Sequence, residues 1–168
     1  ALDRVALQGA VDVLTAADAV HIAASRGAYG IGAYAFYGLA RTGKRAHLID
    51  NQGAMRAEQV AAMGPRDAAL VLTFDDYTPE TVQIAQMAHD AGHPVIAITD
   101  NELSPVVPLA THTLFVKEAR LGHFRSQVPA LVVAQAIIVS VGRAGPVALQ
   151  RSLQEGSVEN VLAPNPDG

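Results

Sequence analysis

The 168-residue chain contains no cysteine and no tryptophan. Without cysteine there is neither a disulfide frame nor a thiolate metal site, and the redox compartment is left open. Charge is scarce: 17% of residues are Asp, Glu, Lys or Arg, the net charge is −4, and no basic run occurs. The electrostatic footprint of a nucleic-acid binder is therefore missing. No hydrophobic run is long enough to span a bilayer; the most apolar stretch, Val128 to Val141, is too short and contains Gln135 and Ser140. The start, Ala1-Leu2-Asp3-Arg4, leads into an amphipathic pattern rather than an apolar core behind a basic cap, so no signal peptide is read there. These absences lead to the expectation of a soluble, cytoplasmic domain. An initial alanine rather than methionine leaves open a longer parent protein.

What is present is apolar and alternating. Half of the residues are hydrophobic, enough for one domain that buries roughly 70% of the surface its unfolded chain exposes. Residues 3–17 read as an amphipathic helix, and Ala19 to Ala24 as a short strand. Ser25 to Ala28 is a turn, and residues 28–42 a helix with Gly43 past its end. Arg45 to Ile49 is a second strand, Ala54 to Met63 a helix, and Ala68 to Phe74 a third strand. Pro79 to Ala91 forms a helix closed by Gly92, with Thr78 as its N-cap and Pro79 at its first position. Pro94 to Thr99 and Thr113 to Val116 are the fourth and fifth strands. Ser104-Pro105 starts a short helix, and a long helix runs from about Ser126 to Gly142. Continuously apolar strands alternating with helices predict an α/β fold with a parallel sheet covered on both faces. Ligands of such sheets bind outside the carboxyl ends of the strands. The loops that matter are then 25–28, 51–53, 73–78, 100–104 and 117–126.

Several motifs are weaker than they look. Gly27-Ala28-Tyr29-Gly30-Ile31-Gly32 has the order GxxGxG rather than the dinucleotide order GxGxxG, so Gly30 and Gly32 are read as permitting close packing of helix on sheet. Asp75-Asp76, Asp100 and Lys117 invite comparison with a phosphoacceptor receiver domain, but such domains need an acidic pair after the first strand, where Ser25-Arg26-Gly27 stands. The six histidines show no metal-ligand spacing. Arg26 sits in the first strand-to-helix turn, beside Ser25, and is either an anion ligand, a solvated residue or a partner of Asp75 or Asp76. Thr73, Tyr77 and Thr78 offer hydroxyls in the loop after the third strand.

In this order the pieces resemble a SIS (sugar isomerase) domain of the kind found in MurR/RpiR-type transcriptional regulators. The resemblance runs from about Ala6 to Gly142. It rests on His21 to Gly27, Ala33 to Gly43, Phe74 to Thr81, and Val95 to Asp100 followed by Ser104-Pro105. The most specific piece is Phe124-Arg125-Ser126 ahead of the final helix; the short acidic segment usual before it is represented only by Glu118, several residues earlier. The resemblance implies a three-layer, doubly wound, flavodoxin-like sheet of five parallel strands over residues 1–146, with residues 147–168 a short helix and tail. It further implies binding of a phosphosugar or sugar acid without cofactor or metal, homodimerisation, and DNA contact only through a helix-turn-helix domain that this chain lacks. The implied ligand residues are Ser25, Arg26, Gly27, Thr73, Asp75, Asp76, Tyr77, Thr78, Arg125 and Ser126.

The chain departs from that family at one place. Family phosphosugar loops commonly read Ser-x-Ser-Gly-x-Thr, where this chain has Thr73-Phe74-Asp75-Asp76-Tyr77-Thr78. Two carboxylates would repel a phosphate dianion: unit charges ~4 Å apart cost on the order of 4 kcal/mol at an effective dielectric of about 20. Either they point outward, or they pair with Arg26 or Arg125, or the ligand is not a sugar phosphate. The leading function is a non-enzymatic effector sensor. The alternative is an aldose–ketose phosphosugar isomerase, for which Glu80 and His123 are the candidate acid–base residues. The final helix is apolar nearly all round, which suits either a dimer interface or a fully buried central helix.

Overall fold

The structure, a computed structural model, describes residues 2–117, 120–122 and 124–145. Five strands, β1 (Ala19–Ala24), β2 (Arg45–Ile49), β3 (Ala68–Leu72), β4 (Val95–Thr99) and β5 (His112–Phe115), form one sheet in the order β2-β1-β3-β4-β5. Every neighbouring pair is parallel. The period-2 pleat of each strand sorts its side chains onto two cores. Val20, Ile22, Leu70, Leu72, Ile96, Ile98 and Leu114 face one way, onto helices α1 (Arg4–Ala16), α2 (Tyr29–Arg41) and α5 (Val128–Ala144). Ala23, Ala69, Val71, Val95 and Ala97 face the other way, onto α3 (Arg56–Ala61) and α4 (Pro79–Asp90). Branched strand residues meet three helices, and small ones let two helices sit close.

Local chemistry sets the helix ends. Asp3 caps α1, accepting from the N–H groups of Val5 at 2.9 Å and Ala6 at 3.2 Å. Gly43 (φ 84°) and Gly92 (φ 82°) end α2 and α4 in the left-handed conformation that glycine adopts without a Cβ penalty. Gly32 sits against the sheet: a Cβ there would lie 2.6 Å from the Cβ of Ala24. Gly30, in contrast, faces open space, so close packing explains only one of that pair.

Three expectations about elements need correction. Ser104-Pro105 opens a turn that leads to a 3-10 helix at Val107–Leu109, not a helix of its own, because Ser104 is buried and its hydroxyl accepts from that of Thr99 at 2.7 Å. The side chain of Thr78 makes no capping bond; Pro79 alone marks the start of α4. Segment 117–126 is not all loop, since β6 (Arg120–Leu121) and β7 (Phe124–Arg125) pair antiparallel before α5.

Helix α5 is not buried all round. Ala130, Val133, Ala134, Ile137 and Val141 enter the core, while Val128, Val132 and Val139 are more than half exposed. It lies beside α2, with Gly38 under Ile138 and the Gln135 amide donating to the Tyr34 hydroxyl at 3.1 Å. The expected terminal helix and tail, residues 147–168, fall outside the described residues.

Candidate functional site

Chain order reverses direction between β1 and β3: β2 lies to one side, β4 and β5 to the other. At such a switch point the loops leaving two adjacent strands diverge and leave a crevice. Here it is a cavity of about 470 Å³, a size usual for small-molecule sites. The β1–α2 turn contributes Ser25, Arg26, Gly27 and Ala28, and Ile31 follows from α2. The β3–α4 loop contributes Thr73, Phe74, Asp75, Asp76, Thr78 and Pro79, and the segment before α5 adds Arg125 and Gln127. Eight of the ten residues expected from sequence therefore share one cavity.

Tyr77 and Ser126 are not in its lining. Tyr77 turns away, its hydroxyl donating to Asp100 Oδ1 at 2.8 Å and accepting from the Asn101 amide at 2.9 Å. Burial, reinforced by the carboxylate of Asp100, raises the pKa of that hydroxyl above its ordinary value. Gln127 takes the place expected for Ser126, donating from its amide to the Gly27 carbonyl.

The β3–α4 loop is clamped from two sides. Asp100, at the carboxyl end of β4, accepts from the Asp75 N–H at 3.1 Å as well as from Tyr77. On the other side the Arg125 guanidinium donates to the Asp75 carbonyl at 2.5 Å and lies 3.4 Å from the Asp75 carboxylate and 3.6 Å from that of Asp76. Of the arrangements open from sequence, Asp75 pairs with Arg125, whereas Asp76 meets Arg125 with a side chain that is 95% exposed and points outward. Arg26 and Asp76 both hold left-handed backbones (φ 51° and 74°), and such strain in non-glycine residues clusters where function over-determines the backbone. Aspartate tolerates that conformation better than most side chains.

Sequence reasoning missed three supports. Thr81 is buried on α4 and donates its hydroxyl to that of Ser25 at 3.1 Å, tying the two loops together. Its signal was a lone hydroxyl on the apolar face of a helix. Asp100 and Gln127 are the other two, one a strand-end acid and the other a neighbour of the expected triplet. The isomerase candidates fare differently. Glu80 is exposed in the first turn of α4 and does not line the cavity, and His123 lies outside the described residues.

The described histidines lie away from the cavity. His21 on β1 is buried, donates to or accepts from nothing in the cavity, and meets the carboxylate of Asp67 at 2.8 Å. Its ring stacks on that of His47, the β2 residue in register with it, at a centroid distance of 4.8 Å. No group of three potential metal ligands occurs among the described residues.

A family model for the SIS domain matches residues 13–140. The chain belongs to the SIS domain family. Among solved structures, this SIS domain is similar to the sugar isomerase domain of an RpiR transcription factor from Sphaerobacter thermophilus, with 23% identity, a TM-score of 0.81, and coverage of 91% of this chain and 87% of that one. It is also similar to the Vibrio vulnificus NanR protein complexed with ManNAc-6P, with 24% identity and a TM-score of 0.80, covering 98% of this chain and 63% of that one. The chain thus spans less than two thirds of the NanR protein. A protein of Methanococcus jannaschii whose structure is reported to infer a 3-hexulose-6-phosphate isomerase function is more distant, at 15% identity and a TM-score of 0.65, covering 96% of this chain and 86% of that one. No curated protein matches the sequence. No helix among the described residues is long and apolar enough to cross a membrane.

Proposed function

We propose that this SIS domain is the effector-sensing part of a transcriptional regulator, binding a carbohydrate derivative in the cavity between β1 and β3. The observation that carries the reading is the lining itself: hydroxyls from Ser25, Thr73 and Thr78, and charged groups of both signs from Arg26, Arg125, Asp75 and Asp76, around an open crevice. Such a set offers donors and acceptors on all sides of a polyhydroxyl ligand. Similarity in fold to the RpiR and NanR regulators supports the sensor over the isomerase.

The sensor works as a homodimer. Helices α2 and α5 lie side by side and leave Tyr29, Phe36 and Tyr37, and Val128, Val132 and Val139, exposed to solvent in the single chain. Apolar side chains gathered on neighbouring helices mark an interaction surface. Arg125 and Gln127 connect the cavity to the start of α5, so a bound effector acts on the dimer helix through its immediate neighbours. It shifts the dimer between arrangements only by its differential affinity for them, and DNA is reached through a domain outside this chain.

A thermal-shift panel of sugars, sugar acids and sugar phosphates, run beside a turnover assay for each sugar phosphate, tests the reading. A ligand at 100 times its Kd stabilises the fold by about 2.7 kcal/mol. The expected result is a raised melting temperature for one ligand class with no turnover. Isomerisation lost in Glu80→Gln would replace the sensor with the enzyme.

A further inference from the structure

The glycine in the turn between β1 and α2 stands one residue away from where the backbone calls for it. Arg26 holds the left-handed conformation (φ 51°), whereas Gly27 beside it does not. A Cβ makes that conformation costly for residues other than glycine, asparagine and aspartate, and arginine has no short polar group to offset the cost. The turn is held in this state by its surroundings. The Ala28 N–H donates to the Ser25 carbonyl at 3.1 Å, and the Tyr29 N–H to the Arg26 carbonyl. Thr81 on α4 donates its hydroxyl to that of Ser25 at 3.1 Å, and the Gln127 amide ahead of α5 donates to the Gly27 carbonyl. Strain persists where the surrounding structure over-determines it, as these bonds do here. None of them uses the Arg26 side chain, so the fold gains nothing from the guanidinium.

The cavity is where that side chain has work. Arg26 is part of the lining, and its guanidinium makes no hydrogen bond or ion pair among the described residues. The other arginine of the lining, Arg125, is engaged with the Asp75 carbonyl and stands 3.4 and 3.6 Å from the carboxylates of Asp75 and Asp76. On the facing wall, the N–H groups of Phe74, Tyr77, Thr78 and Glu80 carry no bond among the described residues. An anionic group entering the crevice therefore meets open donors on one wall and an unpaired cation on the other. A guanidinium binds a carboxylate or phosphate through a charge-assisted fork, which a neutral hydroxyl cannot match.

Resting on the carbohydrate-sensing reading, we propose that Arg26 is a specificity-determining residue of the cavity. It pairs with an anionic group of the effector, a phosphate ester or a carboxylate, and the strained turn is kept for that contact. Stability and binding then pull in opposite directions at this one position. Glycine adopts the left-handed conformation without a Cβ penalty, so Arg26→Gly relieves the strain while it removes the guanidinium.

Three measurements on the whole chain test this. In thermal melts, Arg26→Gly is no less stable than the wild type; a clear fall in melting temperature would make the side chain part of the fold and overturn the inference. In calorimetric titration with an N-acetylhexosamine, its phosphate ester and a hexonate, the wild type binds an anionic member most tightly. Arg26→Gly loses about tenfold or more on that member alone, and Arg26→Lys, which keeps the charge without the fork, falls between the two. The responding arm, ester or hexonate, identifies the anion. A wild type that prefers the neutral sugar, or an unchanged affinity in Arg26→Gly, overturns the inference and leaves the sensor reading standing; silence across the panel removes that reading as well. Independently of any sugar, millimolar inorganic phosphate moves the backbone amide resonances of Gly27 and Ala28 in the wild type and leaves them unmoved in Arg26→Gly. Equal shifts in both proteins, or none in either, overturn the role given to Arg26.

Discussion

Two acidic sites sit at opposite ends of the same sheet, and burial separates their roles. At the amino end Asp67 is only 8% exposed and takes three donors: the N–H of Gly64 at 2.8 Å, that of Ala19 at 3.1 Å, and the His21 ring at 2.8 Å. Although burial alone would raise its pKa, the hydrogen bonds and His21 outweigh burial and hold it below the ordinary carboxylate value. At the carboxyl end the side chains of Asp75 and Asp76 are 47% and 95% exposed, and Arg125 stands 3.4 and 3.6 Å away. Short bonds in a dry site fix a fold, since nothing outside can replace them. Longer contacts at a cavity wall leave side chains that a ligand can re-partner. Asp67 is thus a brace between β1 and the turn before β3, and the Asp75–Asp76 pair is the adjustable part.

The largest effect is expected at the brace. Asp67→Ala strands the buried Ala19 N–H, the half-buried Gly64 N–H and the His21 ring, and leaving such donors unsatisfied costs about 1–3 kcal/mol each. For a chain of this length that lowers the melting temperature by on the order of 10 °C. Calorimetric melting checks it, and a change within experimental error would dissolve the distinction between the two ends.

The same brace gives the fold a pH dependence. Burial lowers the pKa of His21 despite the opposing pull of Asp67, and His47 and His93 add to the lowering. The unfolded chain takes up a proton at His21 near the ordinary value of about 6.5, whereas the folded chain resists it until lower pH. Stability from this group is therefore complete above about pH 6.5 and is lost as pH falls below it. Asp67, whose pKa is also depressed, adds a second loss once the pH drops below the ordinary carboxylate range. Urea melts across this window should show a midpoint that falls with pH, and His21→Gln, which keeps an amide donor for Asp67, should flatten the upper part of the slope. An unchanged slope in that variant would assign the proton uptake elsewhere.

How much of this was legible in the sequence follows the range of the forces involved. The five strands were readable because continuous apolar runs such as Val95-Ile96-Ala97-Ile98 record burial on both faces. The ends of α2 and α4 were readable because Gly43 and Gly92 encode their own backbone conformation. The cavity's two main loops followed from topology alone, as ligand sites gather at carboxyl strand ends. What failed was orientation. Nothing local tells that Tyr77 turns toward Asp100, because that choice is made by a partner 23 residues away. Ser126 yielded to Gln127 for the same reason: a helix rotated by one residue changes which side chain meets Gly27. The His21–Asp67 brace, 46 residues apart in sequence, left no pattern beyond one polar residue within an apolar strand and another just before one.

The smallest expected effect on stability sharpens the contrast most. Arg125 is 26% exposed at its side chain and pairs with carboxylates that are still more exposed, a setting in which ion pairs are worth roughly 0–1 kcal/mol. Arg125→Ala should therefore melt within a few degrees of the wild type, far from the loss at Asp67. Its consequence belongs to the cavity instead. Without the guanidinium, the Asp75 carbonyl loses its donor and the cavity loses a positive charge beside two carboxylates, so binding of an effector weakens and any anionic one weakens most. Melting and calorimetric titration on the same sample separate the two readouts. A large drop in melting temperature would make Arg125 a second brace, and unchanged affinity would take it out of the site.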